Sequence, residues 1–184
     1  MVAISPNSSE VHIFKADTWE RLHILAEHDL NVSSVDWSNR NQIVTASHDR
    51  NAFVWTFDEA GNAWKPQLVI LRIDRGALSV RWSLCGLKFA VASGAKCVPV
   101  CTYDDQNGFW VSKMIKKKFK STVLCVAFHP TNSQLLATGD AAFKCRVYST
   151  FTSDVDGSQV MSGPWNAPVE FGEVYCELGA QGWV

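Results

Sequence analysis

The chain has 184 residues, of which 47% are hydrophobic and 19% are charged, a composition typical of a folded globular chain. Its 17 Lys and Arg residues nearly cancel 18 Asp and Glu residues, and the formal net charge of -1 gives no reason to expect a nucleic-acid or membrane partner. The N-terminus, MVAISPNSSE, lacks the features of a signal peptide, and the longest apolar runs are too short to cross a bilayer. We therefore expect a cytoplasmic protein without a transmembrane segment.

Residues 1–4 are predicted to be the second strand of an incomplete blade, and VHIF at 11–14 is the next predicted strand. A three-residue signature then recurs along the chain. An apolar residue and an aromatic residue flank one variable position in VDW (35–37), VRW (80–82) and VAF (126–128). The signatures begin 45 and then 46 residues apart. A regular period of this length is the sequence signature of a repeat fold.

Each signature is followed by a polar turn and by further short apolar segments bounded by turn residues. These segments are rich in Val, Ile and aromatic residues, which favours strands, and no helix-length amphipathic stretch separates them. A second strand is predicted at 43–47, 89–93 and 135–139, a third at 51–55, 96–101 and 144–148, and a fourth at 64–71 and 109–115.

Four antiparallel strands in about 45 residues are the pattern of a β-propeller blade. One such sheet cannot bury both of its faces alone, so neighbouring blades must stack face to face. We therefore predict an all-β fold, a partial β-propeller. The predicted units are an incomplete blade at 1–27, blades at 28–73 and 74–117, and a blade at 118–180 that includes a loop at 150–168.

Ser47, His48 and Asp49 are adjacent and are the three residue types of a hydrolase triad. Triads are assembled from distant positions, and successive side chains of a strand point to opposite faces, so a catalytic role is not expected. Asp49 lies six residues before Trp55, where a turn between two strands is predicted. An Asp in such a turn accepts hydrogen bonds from the backbone and from a nearby indole or imidazole.

This spacing resembles the WD-repeat signature, in which a His opens the blade and an acidic turn residue precedes the final Trp. The resemblance implies a structural network of His28, Asp49 and Trp55, with the hydroxyl of Thr45 or Ser47 as its fourth member. We expect this network in one blade and apolar packing in the others, where the signature is degenerate. In those blades, Ala95 and Ala142 stand where the signature has its Asp, and Cys101 and Tyr148 stand where it has its Trp.

Metal binding is the first rival interpretation, because Cys97 and Cys101 form a C-x3-C pair. On a strand these two residues are roughly 13 Å apart, whereas tetrahedral zinc needs its ligands to converge on one point. A second cysteine pair with metal-ligand spacing is missing from the sequence. We expect no metal, no cofactor and no catalytic residue.

The strongest charged feature is KMIKKKFK at 113–120, with five lysines within eight residues. Two interpretations stay open: a solvated loop between blades, or a surface that contacts an acidic partner. A Trp nearby is an anchor candidate, because Trp is enriched at binding hot spots. The candidate partner surface is Trp110, Lys113, Lys116, Lys117, Lys118 and Lys120. Nucleic acid is not expected, since no array of stacking aromatic residues accompanies the run.

Four longer strings carry a closer resemblance. HDRNAFVW (48–55), WKPQLVILRIDRGA (64–77), WVSKMIKKKFKSTVL (110–124) and FKCRVYS (143–149) are similar, in order and spacing, to subunit 1 of the actin-related protein 2/3 complex. The resemblance implies a non-catalytic, seven-bladed WD-repeat scaffold in an assembly that nucleates branched actin filaments. It also implies the other subunits and the actin filament as partners, and the actin cytoskeleton as location.

The resemblance extends over essentially the entire chain, but seven blades of this repeat length need roughly 320 residues. We therefore expect about three and a half to four of the seven blades, with further segments before residue 1 and after residue 184. The alternative function is a generic WD-repeat adaptor that binds peptides or proteins outside the actin system. Copurification of actin-related subunits distinguishes the two.

Overall fold

The computed structural model describes residues 1–157 and 169–179, and within these ranges nearly all regular structure is β-strand. Alternating apolar side chains and frequent turn residues produce this result, because they suit short strands buried on one or both faces. The strands are β1 (Val2–Ile4), β2 (Val11–Phe14), β3 (Arg21–Leu25), β4 (Val32–Trp37), β5 (Gln42–Ser47), β6 (Asn51–Asp58), β7 (Ala63–Ile70), β8 (Ala77–Trp82), β9 (Lys88–Ser93), β10 (Val98–Asp104), β11 (Phe109–Ile115), β12 (Val123–Phe128), β13 (Leu135–Asp140), β14 (Lys144–Ser149) and β15 (Val174–Gly179).

The strands form four antiparallel sheets in which chain neighbours pair with one another. The first sheet has three strands, β1-β2-β3, and the next three have four each: β4 to β7, β8 to β11, and β12 to β15. The predicted fourth strands at 64–71 and 109–115 are found as β7 and β11. The arrangement confirms the all-β prediction of a partial β-propeller.

The three four-stranded sheets share one local backbone geometry. Their first strands carry a β-bulge near the start, at the steps Val32–Ser34, Ala77–Ser79 and Val123–Cys125. The turn between their second and third strands contains a residue with positive φ, namely Arg50 at 73°, Lys96 at 55° and Phe143 at 58°. Such φ values are uncommon outside glycine, so their recurrence marks the same turn in three blades.

Apolar clusters fill the spaces between neighbouring sheets, so that the sheets stack face to face. Along one strand, alternate side chains reach opposite clusters, as Phe89 and Ala90 do on β9. Each cluster contains residues from two neighbouring sheets. Val11 and Trp55 belong to the first, Val54 and Phe89 to the second, and Ala90 and Tyr148 to the third. A hydrogen bond between the second and third sheets adds to this contact, since the Asp36 carboxylate accepts the backbone N–H of Trp82 at 2.7 Å.

The predicted loop at 150–168 is described only in part. Its first residues form α1 (Ser153–Asp156), a single helical turn that the sequence did not predict. Residues 158–168 and 180–184 lie outside the described residues. They include Trp165, a second anchor candidate near a loop that the sequence offers. The blade boundaries drawn from the sequence stay a prediction. In the described ranges, no helix is long and apolar enough to span a membrane.

Candidate functional site

Four polar side chains form one hydrogen-bonded cluster in the second sheet. The His28 Nδ1 atom lies 2.7 Å from Asp49 Oδ2, and its Nε2 atom lies 2.8 Å from Thr45 Oγ1. The indole N–H of Trp55 donates to the same Thr45 oxygen at 3.0 Å. All four side chains are buried or nearly so.

The chemistry of the donors and acceptors orders this cluster. A carboxylate accepts hydrogen bonds and does not donate them, so Nδ1 of His28 carries a hydrogen and donates the hydrogen bond to Asp49. An indole N–H only donates, so the Thr45 hydroxyl accepts a hydrogen bond from Trp55. When the imidazole of His28 is neutral, the same hydroxyl donates a hydrogen bond to its Nε2 atom. Each polar atom therefore has a partner in an interior where an unpaired one costs about 1–3 kcal/mol. The cluster therefore stabilises the blade.

The Ser47 hydroxyl serves the adjacent turn rather than this cluster. It donates to the carbonyl of Leu30 at 2.8 Å and accepts the N–H of Asp49 at 3.1 Å. Of the two candidate hydroxyls, the structure thus brings Thr45 to the imidazole of His28. His48 is exposed in the turn while Asp49 bonds His28, so Ser47, His48 and Asp49 do not form a triad.

The cysteines give no metal centre. Cys97 and Cys101 are both buried, and burial raises the pKa of each thiol. A thiol of raised pKa is a poor ligand and a poor nucleophile, because both roles require the thiolate. In the ranges 1–157 and 169–179, no group of three His, Cys, Asp or Glu side chains is placed to hold a metal ion.

The fourth sheet replaces the His-centred cluster with a network of charges. Arg146 donates to the carboxylate of Asp140 at 2.6 Å and to that of Glu177 at 3.0 Å. Tyr148 stands in the position of the Trp and donates its hydroxyl to the carbonyl of Lys117 at 2.8 Å. Burial raises the pKa of Tyr148 to about 12. Sequence reasoning missed this network, since it expected apolar packing here.

We expect Glu177→Gln to destabilise the chain at neutral pH but not in acid. The hydrogen bond from Arg146 lowers the pKa of Glu177 from its ordinary value of 4.5. A lowered pKa means that the stabilisation is complete above pH 4.5 and is lost as the pH falls through the folded-state pKa. Urea unfolding of both chains between pH 7 and pH 3 measures this. A stability difference that stays constant with pH would contradict it.

The third sheet contains an aromatic cluster, and this cluster corrects one prediction. Trp110 was placed on the candidate partner surface, but its side chain is only 8% exposed. It contacts Trp82 and Phe89, with ring centroids 5.6 and 5.2 Å away. Trp110 lies on the face of β11 that packs towards the second sheet, so it is a core residue and not an interface anchor.

The five lysines of 113–120 are all exposed, and three of them have contacts within the chain. Lys117 pairs with Glu173, Lys118 lies 3.8 Å from Glu177, and Lys113 lies over the ring of Phe171. Surface ion pairs of this kind contribute little to stability, about 0–1 kcal/mol. Lys116 and Lys120 have no ion pair with any residue that the structure describes, and they are the members best placed to meet a partner.

A buried ion pair escaped sequence reasoning altogether. Lys88, on β9, is fully buried, and its ammonium donates to both carboxylate oxygens of Asp156 at 2.9 and 2.7 Å and to the carbonyl of Thr150 at 3.0 Å. The pair joins the third sheet to the segment that follows β14. In the sequence, Lys88 stands between Leu87 and Phe89, and this charged residue beside an apolar strand is the one feature that hints at the pair.

Comparison with known proteins agrees with this geometry. The model of the WD domain, G-beta repeat, matches residues 19–56 and 113–149. The first segment contains the whole His28 cluster, and the second contains the lysine run and Tyr148. These segments therefore belong to WD repeats.

Relatives are similar along almost the entire chain. Actin-related protein 2/3 complex subunit 1A of Arabidopsis thaliana is 51% identical over 182 residues, which cover 97% of this chain and 47% of the relative. The chain belongs to the family of actin-related protein 2/3 complex subunit 1. Subunit 1A-A of Xenopus laevis is 46% identical over 100% of this chain and 50% of its own length.

Distant members of the subunit 1 family show the same pattern. Subunit 1 of Schizosaccharomyces pombe is 40% identical over 96% of the chain and 47% of its own length. The chain thus spans about half the length of the curated relatives it matches.

Proposed function

We propose that this chain is part of a non-catalytic scaffold subunit that holds other subunits of an actin-related protein 2/3 complex and thereby supports the nucleation of branched actin filaments. The identity of 51% with a subunit 1 relative over 97% of the chain carries this proposal. In this role the protein acts in the cytoplasm, at the actin cytoskeleton.

The chemistry of the described residues supports a scaffold rather than an enzyme. Three pairs of buried ionisable side chains bond each other: His28 with Asp49, Arg146 with Asp140, and Lys88 with Asp156. Each pair links two separate segments of the fold, which makes the blades rigid. Rigid blades present their loops at fixed positions, which suits the assembly of several partners around one body.

We call the candidate partner surface without Trp110 the lysine surface, and it is the proposed contact for an acidic partner. Its members are Lys113, Lys116, Lys117, Lys118 and Lys120. Lys113 lies on β11 and the other four lysines lie on the connection from β11 to β12, and all five are exposed. Complementary charge raises the rate and the specificity of association more than it raises affinity. An actin filament or a neighbouring subunit with an acidic face fits this surface.

Affinity purification of the tagged chain from cells, with mass spectrometry of the bound proteins, tests the proposed function. We expect the actin-related subunits to copurify, because the chain contains blades that pack on other subunits. Recovery of chaperones alone would contradict the scaffold role for these blades. Recovery of protein partners from outside the actin system, without actin-related subunits, would favour the alternative function as a generic WD-repeat adaptor.

Charge reversal tests the lysine surface separately. We expect Lys116→Glu/Lys120→Glu to reduce recovery of the acidic partner several-fold, since it converts attraction into repulsion at two unpaired positions. The control, Lys15→Glu/Lys65→Glu, makes the same change in net charge at two exposed lysines, one in the turn after β2 and one on β7, each of which has a surface ion pair. Equal losses in both variants would show that the lysine surface is not a specific contact.

A further inference from the structure

A groove of about 990 Å³ runs beside the outer strands of the third sheet. One wall is the face of β10 and β11 that turns towards the fourth sheet, with Thr102 and Val111 side by side. The opposite wall is the segment after β14, with Phe151, and the residues just before β15, with Phe171. Both walls therefore contribute apolar side chains to a groove that also contains polar and charged residues.

Apolar surface continues from the groove into solvent. Val111 is 37% exposed and its strand neighbour Phe109 is 50% exposed. Both project from the same face of β11, because residues two apart on a strand share a face. Exposed apolar side chains that adjoin a groove mark a surface suited to bind another protein.

The rim of the groove is acidic. Asp104, Asp105, Asp154 and Glu170 contribute four carboxylates from three separate segments of the chain. The hydrogen bond from the Asn107 side chain lowers the pKa of Asp104, so this carboxylate stays ionised. Among the described lining residues, Lys113 carries the one positive charge. Its ammonium lies 4.3 Å from the centre of the Phe171 ring. The net charge of the described lining is negative.

The wall after β14 is held in place. The buried ammonium of Lys88 bonds the Asp156 carboxylate, which also accepts the N–H of Thr152 at 2.8 Å. Thr152 itself lines the groove, and its hydroxyl oxygen is buried without a hydrogen-bond partner in the described structure. A groove with a fixed wall loses less conformational entropy when a ligand binds.

We propose that this groove is a docking site for a basic segment of another protein, one with Lys or Arg side chains on either side of an apolar residue. The apolar residue packs on Val111 and Phe171, and the flanking cations meet the carboxylates of the rim. The sign of the charge separates this site from the lysine surface, since the groove selects a basic ligand and the lysine surface an acidic one. The inference stands independently of the proposed scaffold function.

Selection of random dodecapeptides displayed on phage, with the full chain as bait, tests the proposal. We expect selected peptides to be rich in Lys and Arg around an apolar residue. Binding of a selected peptide is then measured by fluorescence anisotropy. The variant Asp105→Asn/Asp154→Asn/Glu170→Gln is expected to weaken it about tenfold, because three of the four rim charges are removed. Val111→Arg is expected to abolish it, because the longer side chain fills the groove and its positive charge repels a basic ligand.

The matched control is Glu27→Gln/Asp29→Asn/Glu59→Gln, which removes three exposed carboxylates elsewhere and should leave binding unchanged. Equal weakening by both triple variants would overturn the proposal, as would selected peptides without an excess of basic residues. Replacement of residues 158–168 by a Gly-Ser linker identifies a competing occupant. Much tighter peptide binding in that variant would show that the chain's own segment occupies the groove, which would also overturn the proposal.

Discussion

Asp156→Asn is expected to lower the free energy of unfolding by about 3–5 kcal/mol, the cost of leaving one partner of a buried ion pair without its counter-charge. The Lys88 ammonium is fully buried and has the Asp156 carboxylate as its charged partner. Asparagine retains an oxygen for the N–H of Thr152, but it removes the charge and replaces one of the two acceptors of the ammonium by an NH2 donor. Equilibrium unfolding in urea, followed by tryptophan fluorescence, measures the effect.

The double variant Lys88→Met/Asp156→Asn serves as the control. Methionine fills a volume similar to that of lysine without a charge to desolvate, and replacing both partners of a buried pair is often close to neutral. We therefore expect the double variant to regain most of the stability that the single variant loses. If both variants were equally destabilised, the pair would owe its effect to packing rather than to charge.

Thr45→Val is expected to cost about 2–4 kcal/mol, because it leaves two buried polar atoms unpaired. These atoms are the indole N–H of Trp55, 3.0 Å from the hydroxyl, and Nε2 of His28, 2.8 Å from it. Valine is close to threonine in shape, so the cavity term is small and the loss reports the hydrogen bonds. Thermal and urea unfolding measure the change.

The fourth sheet offers a matched control for this change. Thr138 takes the position of Thr45 in that blade and is equally buried, but its hydroxyl donates only to the carbonyl of Arg146 at 3.2 Å. We expect Thr138→Val to cost about 1 kcal/mol, the net contribution of a single hydrogen bond. Similar losses at both positions would mean that the His28 cluster adds nothing beyond one bond.

The sequence alone determined the strands, the blade repeat and three members of the His28 cluster, namely His28, Asp49 and Trp55. Strand formation is a local property, since alternation of apolar side chains and turn residues at fixed offsets act over a few positions. The spacing of Asp49 and Trp55 was informative for the same reason, because the turn and the third strand bring them back to one site. Between Thr45 and Ser47, only the direction of each side chain in the folded sheet decided.

The tertiary structure decided which faces are covered and which charges meet. Alternation along β11 shows that Trp110 and Val111 face opposite ways, but not that the neighbouring sheet covers the first and leaves the second in a groove. Lys88 and Asp156 are 68 positions apart, and the sequence holds no local signal that pairs them. Burial depends on what packs from outside a strand, and that is set by distant parts of the chain that meet only when the sheets stack.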